Sequence, residues 1–346
     1  MMRMLDSRKG GVDLRVVLGK LVLSNPVLVA AGTFGYGLEF RRHVRLDQLG
    51  GLVTKTLTRA PRQGNPQPRV VETPAGMLNS VGLHNIGLEA FLREKLPTLA
   101  SVKVPVIVSL LGESLEEVAA MSARLETEPA VAAIELNLSC PNLKNSSKFE
   151  DRSSKSSGGS LRTFHFELQA PLMVAQDAEA TFAMVEAARQ RTSKPLIAKL
   201  SPDVTDPRPI AQAAERAGAD ALALVNTFLG MSIDPHTRRS RLGSLTGGLS
   251  GPAIRPLAVF RVWKVRQAVR CPLIGIGGIL KAEDAVEFLL AGATAVAVGT
   301  ANFADPAAAV KVLQGLRRYL ERHQLDSIQQ LIGTLEHDTP ATAARA

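Results

Sequence analysis

From Pro26 onward one theme recurs: a short β-branched apolar run, a turn rich in Gly, Ser or Asn, then a stretch with amphipathic helical spacing. That alternation requires a parallel sheet, because a strand must return over a crossover helix to pair with its neighbour in the same direction. Candidate strands fall at residues 26–31, 51–56, 105–110, 132–138, 195–200, 219–225, 272–276 and 293–298. Eight such units favour closure into a single (β/α)8 TIM barrel over an open sheet. Helical patterns at 114–125, 178–189, 209–217, 254–269 and 282–291 supply the outer layer. The last long helix is expected to open with Asp305 as N-cap and Pro306 at its first position, where a missing N–H is tolerated.

No linker divides the 346 residues, so the barrel domain is expected to run over 1–337. Within it, 143–169 reads as a loop insertion after the fourth strand, Ser/Lys/Gly-rich over 144–160, and either a lid or a passive surface loop. The first ten residues and 338–346 read as disordered ends. No apolar run reaches the roughly 18 residues of a membrane span, and the start lacks the apolar core of a signal peptide. A cytoplasmic protein is the expectation, with no membrane partner. The two cysteines, Cys140 and Cys271, are too few for a disulfide framework or for an iron–sulfur cluster. Net charge is +9, which suits RNA, an acidic protein or small anions. Scattered basic residues and only 4% aromatic residues argue against nucleic acid and for a solvated surface.

In a barrel of this kind chemistry gathers at the strand C-termini, so what each strand delivers there is the informative question. The candidates are Ala31, Gly32 and Thr33, then Lys55 and Thr56, Asn137 and Cys140, Lys199, Asn226 and Thr227, Gly277 and Gly278, and Gly299 and Thr300. The glycine turns after strands seven and eight can aim bare N–H groups at one anion, a phosphate cradle; the alternative is that they only relieve tight turns. Leu280 stands where the last glycine of G-x-G-x-x-G would be, so a nicotinamide-binding Rossmann unit is not supported. Lys55 and Lys199 end otherwise apolar strands, and a buried ammonium needs either an anionic ligand or an internal salt bridge. Amides at Asn79, in an expected loop between strands two and three, and at Asn137, Asn142 and Asn226 can read imide and carboxylate groups, though each alone is an ordinary turn former.

Cys140 lies in Asn137-Leu138-Ser139-Cys140-Pro141-Asn142, held between two carboxamides where an apolar strand ends. With no metal-ligand spacing among the histidines, it reads as a general acid or base. Cys271, before Pro272 at a strand's other end, reads as structural.

Those residues together resemble the class 1B (NAD-dependent) dihydroorotate dehydrogenases, catalytic FMN subunit, over about Asn25 to Leu335. The motifs that carry the resemblance are Asn25 to Gly37, Thr54-Lys55-Thr56, Asn79-Ser80-Val81-Gly82-Leu83, Asn137 to Asn142, Lys199-Leu200-Ser201-Pro202, Asn226-Thr227, Thr246 to Ile254 and the two phosphate turns. The resemblance implies FMN in this chain, its phosphate at Gly251, Gly277, Gly278, Gly299 and Thr300 and its ring near Ala31, Gly32, Lys55, Thr56, Asn137 and Lys199. It implies a dihydroorotate site at Lys55, Asn79, Gly82, Leu83, Asn137, Asn142, Asn226 and Thr227, with Cys140 as catalytic base. The implied reaction takes (S)-dihydroorotate to orotate in de novo pyrimidine (UMP) synthesis, hydride passing to FMN with Lys199 stabilising the charge that develops. Electrons then reach NAD through a partner subunit that holds FAD and a [2Fe-2S] cluster, in a heterotetramer with a homodimeric core.

The stretch Asn226 to Asp234 resembles this class more than the fumarate-using class 1A, and serine stands in place of Cys140 in the membrane-bound class 2, whose N-terminal extension is also not seen. The chain departs from the family after Cys140, where a short Gly-rich loop is usual and 143–169 is long and Ser/Lys-rich. The alternative readings are an FMN-dependent tRNA-dihydrouridine synthase, whose helical RNA-binding domain is not seen here, a class 1A-like enzyme, and a barrel kept only as a scaffold.

Overall fold

The computed structural model of the chain describes residues 11–139 and 174–336. Eight parallel strands form a closed barrel: β1 Val27–Val29, β2 Gly51–Val53, β3 Val106–Leu110, β4 Ala133–Asn137, β5 Leu196–Lys199, β6 Ala221–Leu224, β7 Leu273–Ile276 and β8 Ala295–Val298. They follow one another around the barrel in chain order, and Ala297 of β8 beside Leu28 of β1 closes the ring. Every strand residue is buried except Asn137. A strand covered on both faces has to be apolar throughout, which is why these segments read as continuous runs rather than alternating ones.

Outside the barrel pack α1 Leu88–Glu94, α2 Leu115–Glu126, α3 Ala178–Arg189, α4 Arg208–Arg216, α5 Arg255–Arg266, α6 Ala282–Leu290 and α7 Ala308–Arg322. Their starts follow from local chemistry. The Ser114 hydroxyl accepts the Glu117 N–H at 3.2 Å, and the Asp177 carboxylate accepts the Ala180 N–H at 2.7 Å, which satisfies donors that the first turn leaves free. A hairpin of Val16–Leu18 and Leu21–Leu23 precedes β1 and buries alternate residues.

The structure differs from the sequence expectation at three places. Asp305 is not the N-cap of the last helix: α7 starts at Ala308, and Asp305 instead accepts the Ala307 N–H at 3.0 Å and pairs with Lys311 at 2.6 Å. Pro306 therefore lies in the turn before the helix. Asn79 is not in a loop. It ends the strand Gly76–Asn79 of a four-stranded antiparallel sheet, with Val70–Thr73 on one side and Gly247–Ser250, then Phe228–Gly230, on the other. Helix α1, after that sheet's first hairpin, was likewise outside the expected set.

Among the described residues no helix is long and apolar enough to cross a membrane, and no group of three or more His, Cys, Asp or Glu is placed to hold a metal ion. The expected insertion at 143–169 and the ends 1–10 and 338–346 lie outside the described residues.

Candidate active site

The C-terminal strand ends carry a connected set of polar side chains. Asn137, last in β4, donates through Nδ2 to Thr56 Oγ1 at 3.4 Å, and its Oδ1 accepts from Asn226 Nδ2 at 3.4 Å and from the Ser139 N–H at 3.2 Å. Asn226 Oδ1 accepts the Thr227 N–H at 2.8 Å. The antiparallel sheet reaches the same place. Asn79 sits opposite Gly248 and donates to its carbonyl at 3.3 Å. A Cβ on Gly248 would lie 1.9 Å from Thr227 Oγ1, so only a glycine lets that sheet close onto the β6 end. Asn79, Asn137, Asn226, Thr227 and Thr56 thus form one neighbourhood built from four separate segments.

Two ammonium groups flank it. Lys199 ends β5 directly beside Asn137 in register and is 5% exposed. Lys55 follows β2, and its Nζ lies 3.6 Å from where a Cβ on Gly32 would stand, so Gly32 leaves open space above the lysine. Burial first, and the Lys199 charge second, hold the Lys55 ammonium below the ordinary lysine range. Among the described residues no carboxylate pairs with either lysine, so the internal salt bridge is not what they serve. Two buried like charges with no counter-ion are costly, and a ligand that brings negative charge removes the cost.

The glycine turns lie across the mouth from the amides. Thr300, after β8, donates to Ser250 Oγ at 2.8 Å, which ties it to the turn at Gly251. Gly278, after β7, has φ 69°, and a Cβ there would lie 2.8 Å from the Gly251 carbonyl. Gly251 itself has φ 97°, with Gly76 Cα 2.6 Å from any Cβ. A side chain is excluded at 251, 277 and 278, while Gly299 has room around it, so three bare positions adjoin the 299–300 turn, the backbone type that can cradle an anion. Phosphate, ring and carboxylate all find matching chemistry here, so the residues present fit FMN and an anionic substrate.

Of the other expected site residues, Ala31 adjoins Gly32 at the β1 end, whereas Gly82 and Leu83 form a left-handed turn in which a Gly82 Cβ would meet Asn65 rather than the strand ends. Cys140 and Asn142 lie outside the described residues; the first described stretch ends at Ser139, whose N–H donates to Asn137 Oδ1. Cys271 is half-buried before β7, where burial first and Glu215 second push its thiol up to about 12, so it stays protonated and unreactive. Sequence reasoning missed Ser109 and Glu135. Each is the sole polar residue in a buried apolar strand short of its end, and that interruption was the available signal.

The model of the dihydroorotate dehydrogenase family matches residues 13–320. The chain is 48% identical to the dihydroorotate dehydrogenase B (NAD(+)), catalytic subunit, of Geotalea uraniireducens, over 94% of this chain and 99% of that protein. It is 49% identical to the subunit of the same name from Pelobacter propionicus, over 94% and 99%. The one from Geobacter sulfurreducens is 47% identical, over 94% and 98%.

Proposed function

We infer that this chain, which belongs to the dihydroorotate dehydrogenase family, oxidises (S)-dihydroorotate to orotate in de novo pyrimidine synthesis as the catalytic subunit of an NAD-linked enzyme. The observation that carries the reading is the pair of uncompensated lysines between an amide cluster and a glycine cradle on one barrel face. An anion-bearing ring system and a carboxylate substrate are what that combination stabilises.

FMN bound there, with its phosphate at Gly251, Gly277, Gly278, Gly299 and Thr300, supplies the acceptor for the hydrogen and electron pair that leave carbon 6 of the substrate. The chain's own residues do the rest. Asn79, Asn137, Asn142, Asn226 and Thr227, with the Gly82–Leu83 turn at the rim, hold the imide and orient the ring. Lys55, protonated, meets the carboxylate, and Lys199 balances negative charge beside Asn137. Cys140, as thiolate, takes the proton from carbon 5, so that the carbon–carbon double bond of orotate forms.

The relatives are named as catalytic subunits of NAD(+) enzymes. We extend this to a separate electron-transfer subunit carrying FAD and a [2Fe-2S] cluster, in a cytoplasmic heterotetramer with a homodimeric core. The barrel domain is assigned 1–337, with 143–169 an insertion in it and 338–346 a tail. The family match does not favour tRNA as substrate. The test is orotate formation coupled to NAD reduction, measured for the purified chain with and without its co-purified partner. NAD reduction only with the partner is expected; equal NAD reduction by the chain alone contradicts the subunit reading, and absence of orotate in both contradicts the activity.

A further inference from the structure

We propose that Glu135, buried in the barrel wall beneath the site, is a positioning residue that fixes the Asn137 carboxamide through Ser109 and Thr56. The proposal rests on the dihydroorotate reading above. Ser109 of β3 and Glu135 of β4 are register partners, 0% and 2% exposed. Ser109 Oγ donates to Glu135 Oε1 at 2.9 Å, and Ser109 Oγ lies 3.0 Å from Thr56 Oγ1. Thr56 Oγ1 is in turn the acceptor for Asn137 Nδ2. An unbroken chain therefore runs from a buried carboxylate to the Asn137 and Asn226 amides.

Its direction follows from the donor inventory. A carboxylate only accepts, so the single Ser109 hydroxyl proton points down to Glu135. The Ser109 oxygen is then free to accept from Thr56, and the Thr56 oxygen to accept from the Asn137 NH2 group. Asn137 Oδ1 is thereby turned toward Asn226 and the Ser139 N–H, the orientation observed. The Ser139 amide favours the same sense from above, and Glu135 holds it from below, inside the rigid strands. Reversing any link sets two donors or two acceptors against each other, which a buried network does not tolerate. No ion pair compensates Glu135 among the described residues, so a salt bridge does not explain its burial. A carboxylate kept solely for the fold would lower the thermal midpoint on replacement and leave orotate affinity unchanged.

The test is a double-mutant cycle of Ser109→Ala and Glu135→Met. It reads the orotate Kd of the flavin-loaded protein from the flavin spectrum and the thermal midpoint of the flavin-free protein. Each single variant is expected to weaken orotate binding about tenfold, the loss of one ordered hydrogen bond; Ser109→Ala, which leaves the buried Glu135 carboxylate unpaired, is expected to lower the midpoint as well, and Glu135→Met is not. The double variant is expected to be no weaker than either single one, because both break one chain. Glu135→Gln, which keeps an acceptor for Ser109, is expected to restore most of the affinity. Unchanged orotate affinity in both single variants, or losses that simply add, would overturn the proposal while leaving the activity intact. A wild-type chain that fails to bind orotate would overturn the functional reading and this proposal together.

Discussion

The two ends of the barrel treat charge in opposite ways. At the N-terminal ends of the strands each of the principal charged groups has a partner. Asp220, before β6, pairs with Arg189 at 2.9 Å and accepts the Leu196 N–H at 2.8 Å. Glu126 accepts both hydroxyls of Thr192 and Ser193, and Lys194 Nζ donates to the carbonyls of Glu128 and Val131. Glu215 accepts the N–H groups of Arg270 and Cys271. At the C-terminal ends Lys55 and Lys199 stand close enough to repel, and among the described residues no carboxylate pairs with either. One end pairs its charges internally and the other leaves two ammonium groups without a carboxylate among the described residues, so the first is expected to govern stability and the second binding and rate.

Substitutions that separate those two roles are the sharpest way to break the comparison. The largest effect is expected for Cys140→Ser, the proposed base: flavin is retained, and the rate of its anaerobic reduction by dihydroorotate near neutral pH falls about 10²-fold or more. Stopped-flow absorbance checks this, and an undiminished rate would remove Cys140 from the chemistry. Next, Lys199→Met is expected to lower kcat/KM about 10²-fold by deleting a charge placed for the reacting system. The same change should not lower the thermal midpoint of the flavin-free protein, since the deleted ammonium had no counter-ion. A large loss of stability there would mean the lysine belongs to the fold. At the closed end Arg189→Ala should do the reverse. It leaves Asp220 without its cation and costs about 1–3 kcal/mol by urea denaturation, with kcat/KM unchanged.

The smallest effects are in pH, and they run in opposite directions at the two ends. Glu126 is held down at about 2, against 4.5 ordinarily, by the Ser193 and Thr192 hydroxyls. A lowered carboxylate contributes stability that is present above the unfolded value and lost as pH falls through the folded one. Acid should therefore loosen the closed end between 4.5 and about 2, and Glu126→Gln should flatten that part of a urea-midpoint profile. Lys55, held below 10.5 by burial and by Lys199, binds an anion only when protonated. Orotate affinity should accordingly be full at low pH and decline as pH rises from the free protein's value toward 10.5, with proton uptake on binding. Calorimetry in buffers of different ionisation enthalpy would show that uptake; its absence would place Lys55 outside the anion site.

Much of the barrel was legible because its strands are covered on both faces. Segments such as Val106–Leu110 and Ala295–Val298 have to be apolar throughout, and they announce themselves between turns. Lys55 and Lys199 were legible for the same reason, as charges where charge is out of place. The antiparallel sheet was not. Gly76–Asn79 and Gly247–Ser250 are short and glycine-bearing, and they pair across some 170 residues of chain, so no local pattern marks them as strands. A loop is consequently what the sequence suggests for Asn79, whereas it pairs with Gly248 and donates to its carbonyl. Asp305 misled because Asp followed by Pro is a genuine helix-start signal that here belongs to the preceding turn. Ser109 and Glu135 were hidden inside runs whose average is apolar, and only register shows that they face each other.

The most direct test of the central claim, that the C-terminal mouth binds flavin and oxidises dihydroorotate, is a single anaerobic titration. (S)-Dihydroorotate is added to the flavin-loaded chain while the flavin's visible absorption band and orotate are followed together. Bleaching of the band with one orotate formed per flavin is the expected result. A band that stays unchanged, with no orotate formed, would contradict it.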